Sequence, residues 1–319
     1  MAADAPSSAV DGPLPHPAFE GYAAEAVPQA AVGSPGKDGV LELTFAPAGD
    51  GTALVRDYAT APFHVSGTLG HDPHPRAETV YVQSPTGGVA QGDRHDVTIA
   101  VEHDAVGVVS TASATKVLSM TRNYAAADTT LRVGRDAHLD YVPEPTILHA
   151  DARYCQRVSL DVAPGGSAVL GDVVVPGRLA RGERFAFERY LSRVRGCGPD
   201  GLLFEDATHL APGGGASDSA DPGGVGGAPS TPGVLGEFDV YGTLFVVAPD
   251  HETGALSDDL HAAVSSTDAR AGATALPNDA GVAVRALGHR AEHVTESLRA
   301  AWDAARRKLL DAPAPAGRK

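Results

Sequence analysis

The chain has 319 residues, a net charge of −15 and 43% hydrophobic residues. This composition suits a globular protein with a sizeable core, and the negative charge argues against binding to nucleic acid or anionic lipid. The N-terminus lacks the basic and apolar regions of a signal peptide, and no apolar run is long enough to span a bilayer. We therefore expect a cytoplasmic protein whose excess of carboxylates is typical of adaptation to high salt.

The chain opens with a predicted disordered leader, because residues 1–36 are rich in Ala, Pro and Ser without hydrophobic periodicity. We interpret residues 37–319 as a single β domain that begins with a hairpin around residues 48–52. Strand–turn–strand units then recur at intervals of roughly 30 residues, a spacing typical of repeat architectures. Because no helical pattern separates these units, they favour stacked antiparallel hairpins over βαβ units.

The last third of the sequence adds an insertion and two helices. Residues 211–233 are a tract of Gly, Pro, Ser and Asp, which predicts a disordered insertion because it offers little apolar surface to bury. The spacing of apolar residues predicts helices at about 255–265 and 288–310. The expected fold is therefore mainly β, with two C-terminal α-helices.

The second predicted helix carries the single Trp of the chain, Trp302. Aromatic side chains often anchor protein interfaces, and Leu298 and Leu309 share the helix with it. We therefore expect Trp302, Leu298 and Leu309 to contact a partner protein. The alternative is that Trp302 packs on the sheet, as most Trp side chains are largely buried.

A glycine-rich stretch, GGVAQGDR, occupies residues 87–94. Its spacing matches neither GxGxxG nor GxxxxGKS/T, and β alternation rather than a helical pattern follows it. A nucleotide-binding loop is therefore excluded here. The glycines instead favour a turn or bulge with backbone angles that other residues rarely adopt.

The same stretch resembles the core signature of the urease accessory protein family UreD, which reads GG(L/V)xxGD and, further on, (T/S)xxATK. Two later segments, YVPEPTILHADA and GRLARGERF, are similar to further motifs of that family. The matching positions are Gly87, Gly88, Gly92, Asp93, Thr111, Ala114, Thr115, Lys116, Pro143, Glu144, Ile147, Ala152, Gly177, Arg178, Gly182, Glu183 and Phe185. Gly171 and Asp172 stand where the family often has Trp-Glu.

The resemblance implies a chaperone and not an enzyme. Members of this family bind apo-urease and the complex of UreF with the GTPase UreG, and they offer an internal passage for nickel. The implied fold has two stacked layers of mostly antiparallel strands, followed by C-terminal helices. No tightly bound cofactor is expected, only transient nickel.

Four carboxylates in the region of resemblance are candidates for a transient nickel path: Asp93, Glu144, Asp172 and Glu183. Scattered carboxylates and water would hold a borderline cation weakly enough to release it. For each one, a turn cap or a pairing with Arg is the alternative. Glu144 is the strongest candidate because prolines on both sides hold its backbone extended, whereas Glu183 lies between two arginines. The other motif residues are expected to be structural: Gly87, Gly88, Gly92, Thr115, Lys116, Pro143, Arg178 and Gly182.

Two other classes of function remain open from the sequence. A β-sandwich hydrolase acting on carbohydrate could use Glu144 and Glu183 as a carboxylate pair, which would have to lie roughly 5–10 Å apart in one cleft. A generic ligand-binding β module would instead show one closed pocket. The sequence has no Ser-His-Asp order, HExxH or GxSxG pattern that indicates catalysis.

Overall fold

The computed structural model describes residues 16–27, 36–70, 72–85, 87–212 and 235–316. Within these residues the chain is mainly β, and two long helices lie near its C-terminal end. The strands are β1 (Asp38–Ala48), β2 (Gly51–Ala59), β3 (His64–Leu69), β4 (Ala77–Gln83), β5 (Arg94–Val101), β6 (Val106–Thr111), β7 (Thr115–Val117), β8 (Ala125–Val133), β9 (His138–Tyr141), β10 (Thr146–Leu148), β11 (Arg153–Val162), β12 (Ser167–Val175), β13 (Arg189–Gly198), β14 (Gly201–Leu210), β15 (Val240–Val247), β16 (Arg270–Ala275) and β17 (Gly281–Gly288). The helices are α1 (Glu20–Ala23), α2 (Thr253–Val264) and α3 (Ala291–Leu310).

The strands form two sheets that enclose one apolar core. The seven-stranded sheet has the order β14-β13-β11-β8-β5-β1-β2, and the main path of the ten-stranded sheet is β16-β17-β15-β12-β9-β6-β4-β3. Central strands alternate between the sheets along the chain: β5, β8 and β11 lie in the first sheet, and β6, β9 and β12 in the second. Within each sheet they pair in parallel. The centre is therefore solenoid-like, because each turn of the chain adds one strand to each sheet.

The predicted β fold with two C-terminal helices is confirmed, but the prediction of stacked antiparallel hairpins is wrong for the centre of the molecule. The turn at residues 102–105 carries the chain from β5 in one sheet to β6 in the other. Apolar alternation cannot distinguish this crossing from a hairpin, because each strand buries one face against the opposite sheet in both cases. Antiparallel pairs lie towards the sheet ends, and the hairpin around residues 48–52 is confirmed by the pairing of β1 with β2.

A second apolar core lies between the ten-stranded sheet and helices α2 and α3. Helix α3 begins at Ala291, later than the predicted residue 288, because Gly288 still pairs with Val240 as the last residue of β17. Among the described residues, no helix is long and apolar enough to cross a bilayer. Helices α2 and α3 cover the outer face of the ten-stranded sheet.

Helix α3 directs the predicted partner residues into this second core. Trp302 and Leu298 are buried, and Leu309 is half-buried against the same cluster. Nε1 of Trp302 donates a hydrogen bond to Oδ1 of Asp140 at 2.8 Å. The structure shows the alternative, a Trp packed on the sheet, and corrects the expectation of an exposed anchor at Trp302 and Leu298.

Part of the predicted leader is ordered. The turn Pro17–Phe19 and α1 lie on the outer face of the seven-stranded sheet, where Phe19 is fully buried and its ring centroid lies 4.9 Å from that of Tyr124. The prediction of a disordered leader is therefore corrected for residues 16–27. Most of the remaining leader lies outside the described residues, as does most of the predicted insertion, residues 213–233.

Candidate functional site

The ten-stranded sheet contains an opening at the end of β9. Pairing of β9 with its two neighbours stops at Tyr141, which lies opposite Val109 of β6 and Leu170 of β12. The next strand on this side of β12 is β10, which pairs first at Val174. Residues 171–173 of β12 therefore have no neighbouring strand on this side within the described part of the chain.

The segment 142–145 causes this opening. It contains Pro143 and Pro145, which have no backbone N–H and cannot continue a ladder of strand hydrogen bonds. The N–H of Glu144 instead donates to Oγ1 of Thr111 at 2.9 Å, which holds the segment against β6. Two prolines in a short segment thus interrupt the sheet.

Two cavities adjoin at this opening. The inner cavity, of about 220 Å³, lies between the two sheets, and the outer cavity, of about 100 Å³, lies between the ten-stranded sheet and α3. Four residues line both cavities: Ser110, Pro143, Gly171 and Asp172. The inner cavity extends to the exposed Lys116, and the outer one to the exposed Glu144. Asp172 therefore lies where the two cavities meet.

Asp172 carries a carboxyl group in an unusual environment. Its Oδ2 accepts hydrogen bonds from Nε2 of Gln156 at 2.7 Å and from the hydroxyl of Tyr190 at 3.1 Å. Burial raises the pKa of Asp172 to about 6, although these hydrogen bonds act in the opposite direction. Among the described residues, no Lys or Arg forms an ion pair with it. A half-buried carboxylate that lacks a cationic partner and has a raised pKa destabilises the fold, so its presence points to a functional role.

Replacing Asp172 with Asn is expected to stabilise the fold by about 2–3 kcal/mol near neutral pH, since each pKa unit corresponds to about 1.4 kcal/mol. The folded protein binds this proton more tightly than the unfolded chain. The destabilisation by the charge is therefore absent below pH of about 4, grows up to pH of about 6 and is complete above it. Urea unfolding across this pH range measures the difference between the two proteins.

Asp161→Asn is the matched control for this prediction, because Asp161 is an exposed residue of β11 that lines neither cavity. It should change the free energy of unfolding by about 0.5 kcal/mol or less at every pH. A stabilisation by Asp172→Asn that persists at low pH would show that the buried charge is not its cause.

Glu144 lies at the outer end of the same arrangement. Its side chain is exposed and lines the outer cavity, and its carboxylate makes no hydrogen bond to the described residues. The prolines on either side restrict its backbone, and the hydrogen bond from its N–H to Thr111 holds the segment in place. Glu144 is therefore an accessible oxygen ligand close to the entrance of the outer cavity.

Asp93, by contrast, shapes a loop. It is fully buried, and its two carboxylate oxygens accept hydrogen bonds from the backbone N–H groups of Gly36, Lys37 and Ala90, at 3.0, 2.9 and 2.8 Å. It lines neither cavity. The structure thus gives Asp93 the alternative role, a structural acid.

Glu183 is also part of a structural contact. Its Oε2 accepts a hydrogen bond from Nε of Arg178 at 2.7 Å, and its Oε1 from Nη2 of the same residue. The hydrogen bond with Arg178 holds the pKa of Glu183 below its usual range. Gly182, with a φ of 74°, ends the short helix Leu179–Arg181 between the two partners. Glu183 lines neither cavity, so the pair of Glu144 and Glu183 that a hydrolase would need does not share either cavity.

The glycine-rich loop lies at the far end of the inner cavity. Gly88 has a φ of 147°, and a Cβ on it would lie 2.5 Å from the carbonyl oxygen of Lys116. The N–H of Val89 donates to this carbonyl at 2.8 Å, so the loop packs directly on β7. Gly87 and Thr115 line the inner cavity beside them, and β5 follows the loop. The glycines therefore serve close packing at a cavity entrance, and in the described part of this loop no helix begins that could bind a phosphate.

The polar residues that surround Asp172 do not belong to any motif recognised in the sequence. Gln156 shares the inward face of β11 with Tyr154, Val158 and Leu160, so a polar residue interrupts an apolar stripe. That interruption is a signal that could have identified Gln156. No local signal identifies Tyr190, because it lies in β13 of the other sheet and reaches Asp172 only where the two sheets pack face to face.

Comparison with known proteins decides the family. Residues 37–319 match the model of the family described as UreD urease accessory protein. The chain belongs to the UreD family. A relative from Haloarcula marismortui, named urease accessory protein UreD, is 70% identical over 319 residues, which are 100% of both chains. A relative of the same name from Natronomonas pharaonis is 47% identical over 304 residues, 95% of this chain and 98% of its own.

A more distant relative has the same kind of name. The protein from Streptomyces griseus, named urease accessory protein UreD 2, is 35% identical over 291 residues, 91% of this chain and 96% of its own. The resemblance seen in the motifs is therefore confirmed, and UreD membership supports a role in urease maturation. The name of the family denotes an accessory protein, which favours a non-catalytic role.

Proposed function

We propose that this UreD protein passes nickel to apo-urease through the opening beside Asp172, as a cytoplasmic maturation chaperone that also binds the UreF–UreG complex. One observation carries the proposal. A carboxyl group with a raised pKa and no cationic partner lies where two cavities meet through a gap in the sheet. A divalent cation would supply the positive charge that this site lacks.

The chemistry of the lining suits a cation that must be released again. Nickel accepts oxygen ligands and water, and single carboxylates hold it less firmly than a closed set of His and Cys ligands would. Asp172 provides one carboxylate where the cavities meet, and Glu144 provides another near the outer entrance. A path of weak, successive ligands allows a cation to enter and also to leave.

A route with two ends also fits a bridging protein. The inner cavity reaches the glycine-rich loop and Lys116, and the outer cavity reaches Glu144. Nickel needs a donor at one end and an acceptor at the other. In our proposal the UreF–UreG complex and apo-urease fill these two roles.

Glu144→Gln is expected to lower the nickel content of urease about threefold at limiting nickel, because a neutral amide is a poorer ligand than a carboxylate. The measurement is the nickel content and activity of urease matured with each variant. Glu102→Gln is the matched control, since Glu102 is exposed in a turn and lines neither cavity.

Both variants should still be recovered with UreF, UreG and apo-urease in a pull-down. Full nickel loading with Glu144→Gln would remove Glu144 from the path. Loss of complex assembly would assign Glu144 a structural role instead.

A further inference from the structure

The last described residues fold back along helix α3. Residues 311–316, here called the C-terminal tail, follow the helix, and Ala312 and Ala314 within it are buried. The N–H of Ala314 donates to Oδ1 of Asp303 at 3.0 Å, which fastens the tail to the helix. The tail is therefore a packed element of the fold.

The C-terminal tail forms part of the wall of the outer cavity. Pro315 and Ala316 line this cavity together with Glu144. Ala316 and Glu144 are both exposed, so the tail and the carboxylate flank the same entrance from solvent. Any ion that uses this entrance passes the tail.

Among the described residues, Arg299 supplies a positive charge at this entrance. It lines the outer cavity, and its Nη2 donates to the carbonyl oxygen of Pro315 in the C-terminal tail. Among the described residues, no carboxylate forms an ion pair with Arg299. Arg307 and Arg299 both lower the pKa of Asp303, but the ion pair of Asp303 is with Arg307. A guanidinium group is always charged in proteins, so a positive charge without an ion-pair partner of its own lies in a cavity that also contains Glu144 and Asp172.

The position of this charge opposes the entry of cations. Like charges repel most strongly where protein excludes water, and pores use Arg side chains to reject cations. An Arg that served only to neutralise the two carboxylates would pair with them, whereas Arg299 is held by a neutral carbonyl of the tail. The tail therefore sets where the charge lies.

We propose that Arg299, clamped by the C-terminal tail, is a gate that keeps divalent cations out of the outer cavity until the tail moves. This inference rests on the proposed passage of nickel through the same cavity. Movement of Pro315 removes the acceptor of the guanidinium group, which can then swing into solvent and open the route.

Trp302 provides a direct measurement of this gate. It is the single Trp of the chain and lines the outer cavity. Ni²⁺ is paramagnetic and quenches Trp fluorescence at short range, so the rate of quenching after mixing with Ni²⁺ reports entry into this cavity. The full chain is mixed with Ni²⁺ in a stopped-flow instrument at one fixed salt concentration, the lowest at which the chain stays folded, because salt screens charge repulsion, with Mg²⁺ as the ionic control.

Three variants test the gate. Arg299→Gln removes the charge, and Asp303→Ala removes the acceptor of the Ala314 N–H that fastens the tail. Lys308→Gln is the matched control, because it removes one positive charge from the same helix outside both cavities. We expect about tenfold faster quenching in the first two variants and the wild-type rate in the third.

Equal rates in Arg299→Gln and wild type would overturn the gate, as would equal acceleration by Lys308→Gln, which would indicate a general effect of charge. The test is separate from that of the passage. If Arg299→Gln leaves the quenching rate unchanged while Glu144→Gln lowers nickel delivery to urease, the gate is wrong and the passage stands. If urease matured with Glu144→Gln contains the wild-type amount of nickel, Glu144 is not part of the passage, whatever quenching rate Arg299→Gln gives.

Discussion

Replacing Arg306 with Met is expected to lower the free energy of unfolding by about 3–5 kcal/mol, because it leaves buried carboxylates without a cation. Arg306 is fully buried in α3. Its Nη1 donates to Oδ2 of Asp140 at 2.8 Å and to Oδ2 of Asp72 at 3.0 Å, and its Nη2 donates to Oδ1 of Asp72 at 2.6 Å. Burial alone would raise the pKa of Asp140, but His138 and Arg306 together hold it below its usual value.

This cluster joins helix α3 to the ten-stranded sheet. Asp140 lies in β9 and also accepts the hydrogen bond from Trp302, so loss of Arg306 disturbs two contacts of the helix. Because α3 forms one wall of the outer cavity, the same contacts also fix the geometry of the candidate site.

Arg307→Met is the matched control for Arg306→Met. Arg307 follows it in the same helix but is exposed, and its Nε donates to Oδ2 of Asp303 at 2.7 Å on the surface. Loss of an exposed pair of this kind should lower stability by about 1 kcal/mol or less. Urea unfolding of the two variants at one salt concentration gives the comparison. If both variants lower the free energy of unfolding by a similar small amount, the view that Arg306 neutralises carboxylates buried away from water is wrong.

The sequence predicts the strands well and their connections poorly. Val97, Ile99 and Val101 alternate as expected for a strand with one buried face, and they lie in β5. The roughly 30-residue spacing was also informative, since it corresponds to one turn of the solenoid-like coil. Whether β6 returns beside β5 or crosses to the other sheet depends on the opposite layer, which local alternation does not encode.

The candidate site also depends on contacts that local sequence does not encode. Asp93, Glu144, Asp172 and Glu183 are all acids in the region of resemblance, and only Glu144 and Asp172 line the cavities. The other two are occupied by backbone N–H groups or by Arg178, partners that only the folded chain brings close.

The opening itself could be foreseen only in part. Pro143 and Pro145 indicate that segment 142–145 cannot continue a strand, and this is visible in the sequence. That the gap lies opposite Gly171 and Asp172 depends on the register of β9 and β10 against β12. This register is a property of three separate strands, so no single stretch of sequence contains it.

The most direct test of the proposed passage is to close the junction of the two cavities. Ser110 lines both of them, so Ser110→Leu would fill the space beside Asp172, whereas Ser110→Ala leaves it open. If the added Leu side chain raises the free-energy barrier for nickel at this junction by about 1.4 kcal/mol, transfer slows about tenfold. We therefore expect urease matured with Ser110→Leu at limiting nickel to contain about tenfold less nickel than urease matured with Ser110→Ala.

The decisive measurement is the nickel content of urease matured with this pair of variants, after unfolding curves and pull-downs have shown that both fold and assemble with UreF, UreG and apo-urease. The proposed passage predicts low nickel with Ser110→Leu and wild-type nickel with Ser110→Ala. Full nickel loading with a folded, assembled Ser110→Leu protein would contradict transfer through the opening beside Asp172.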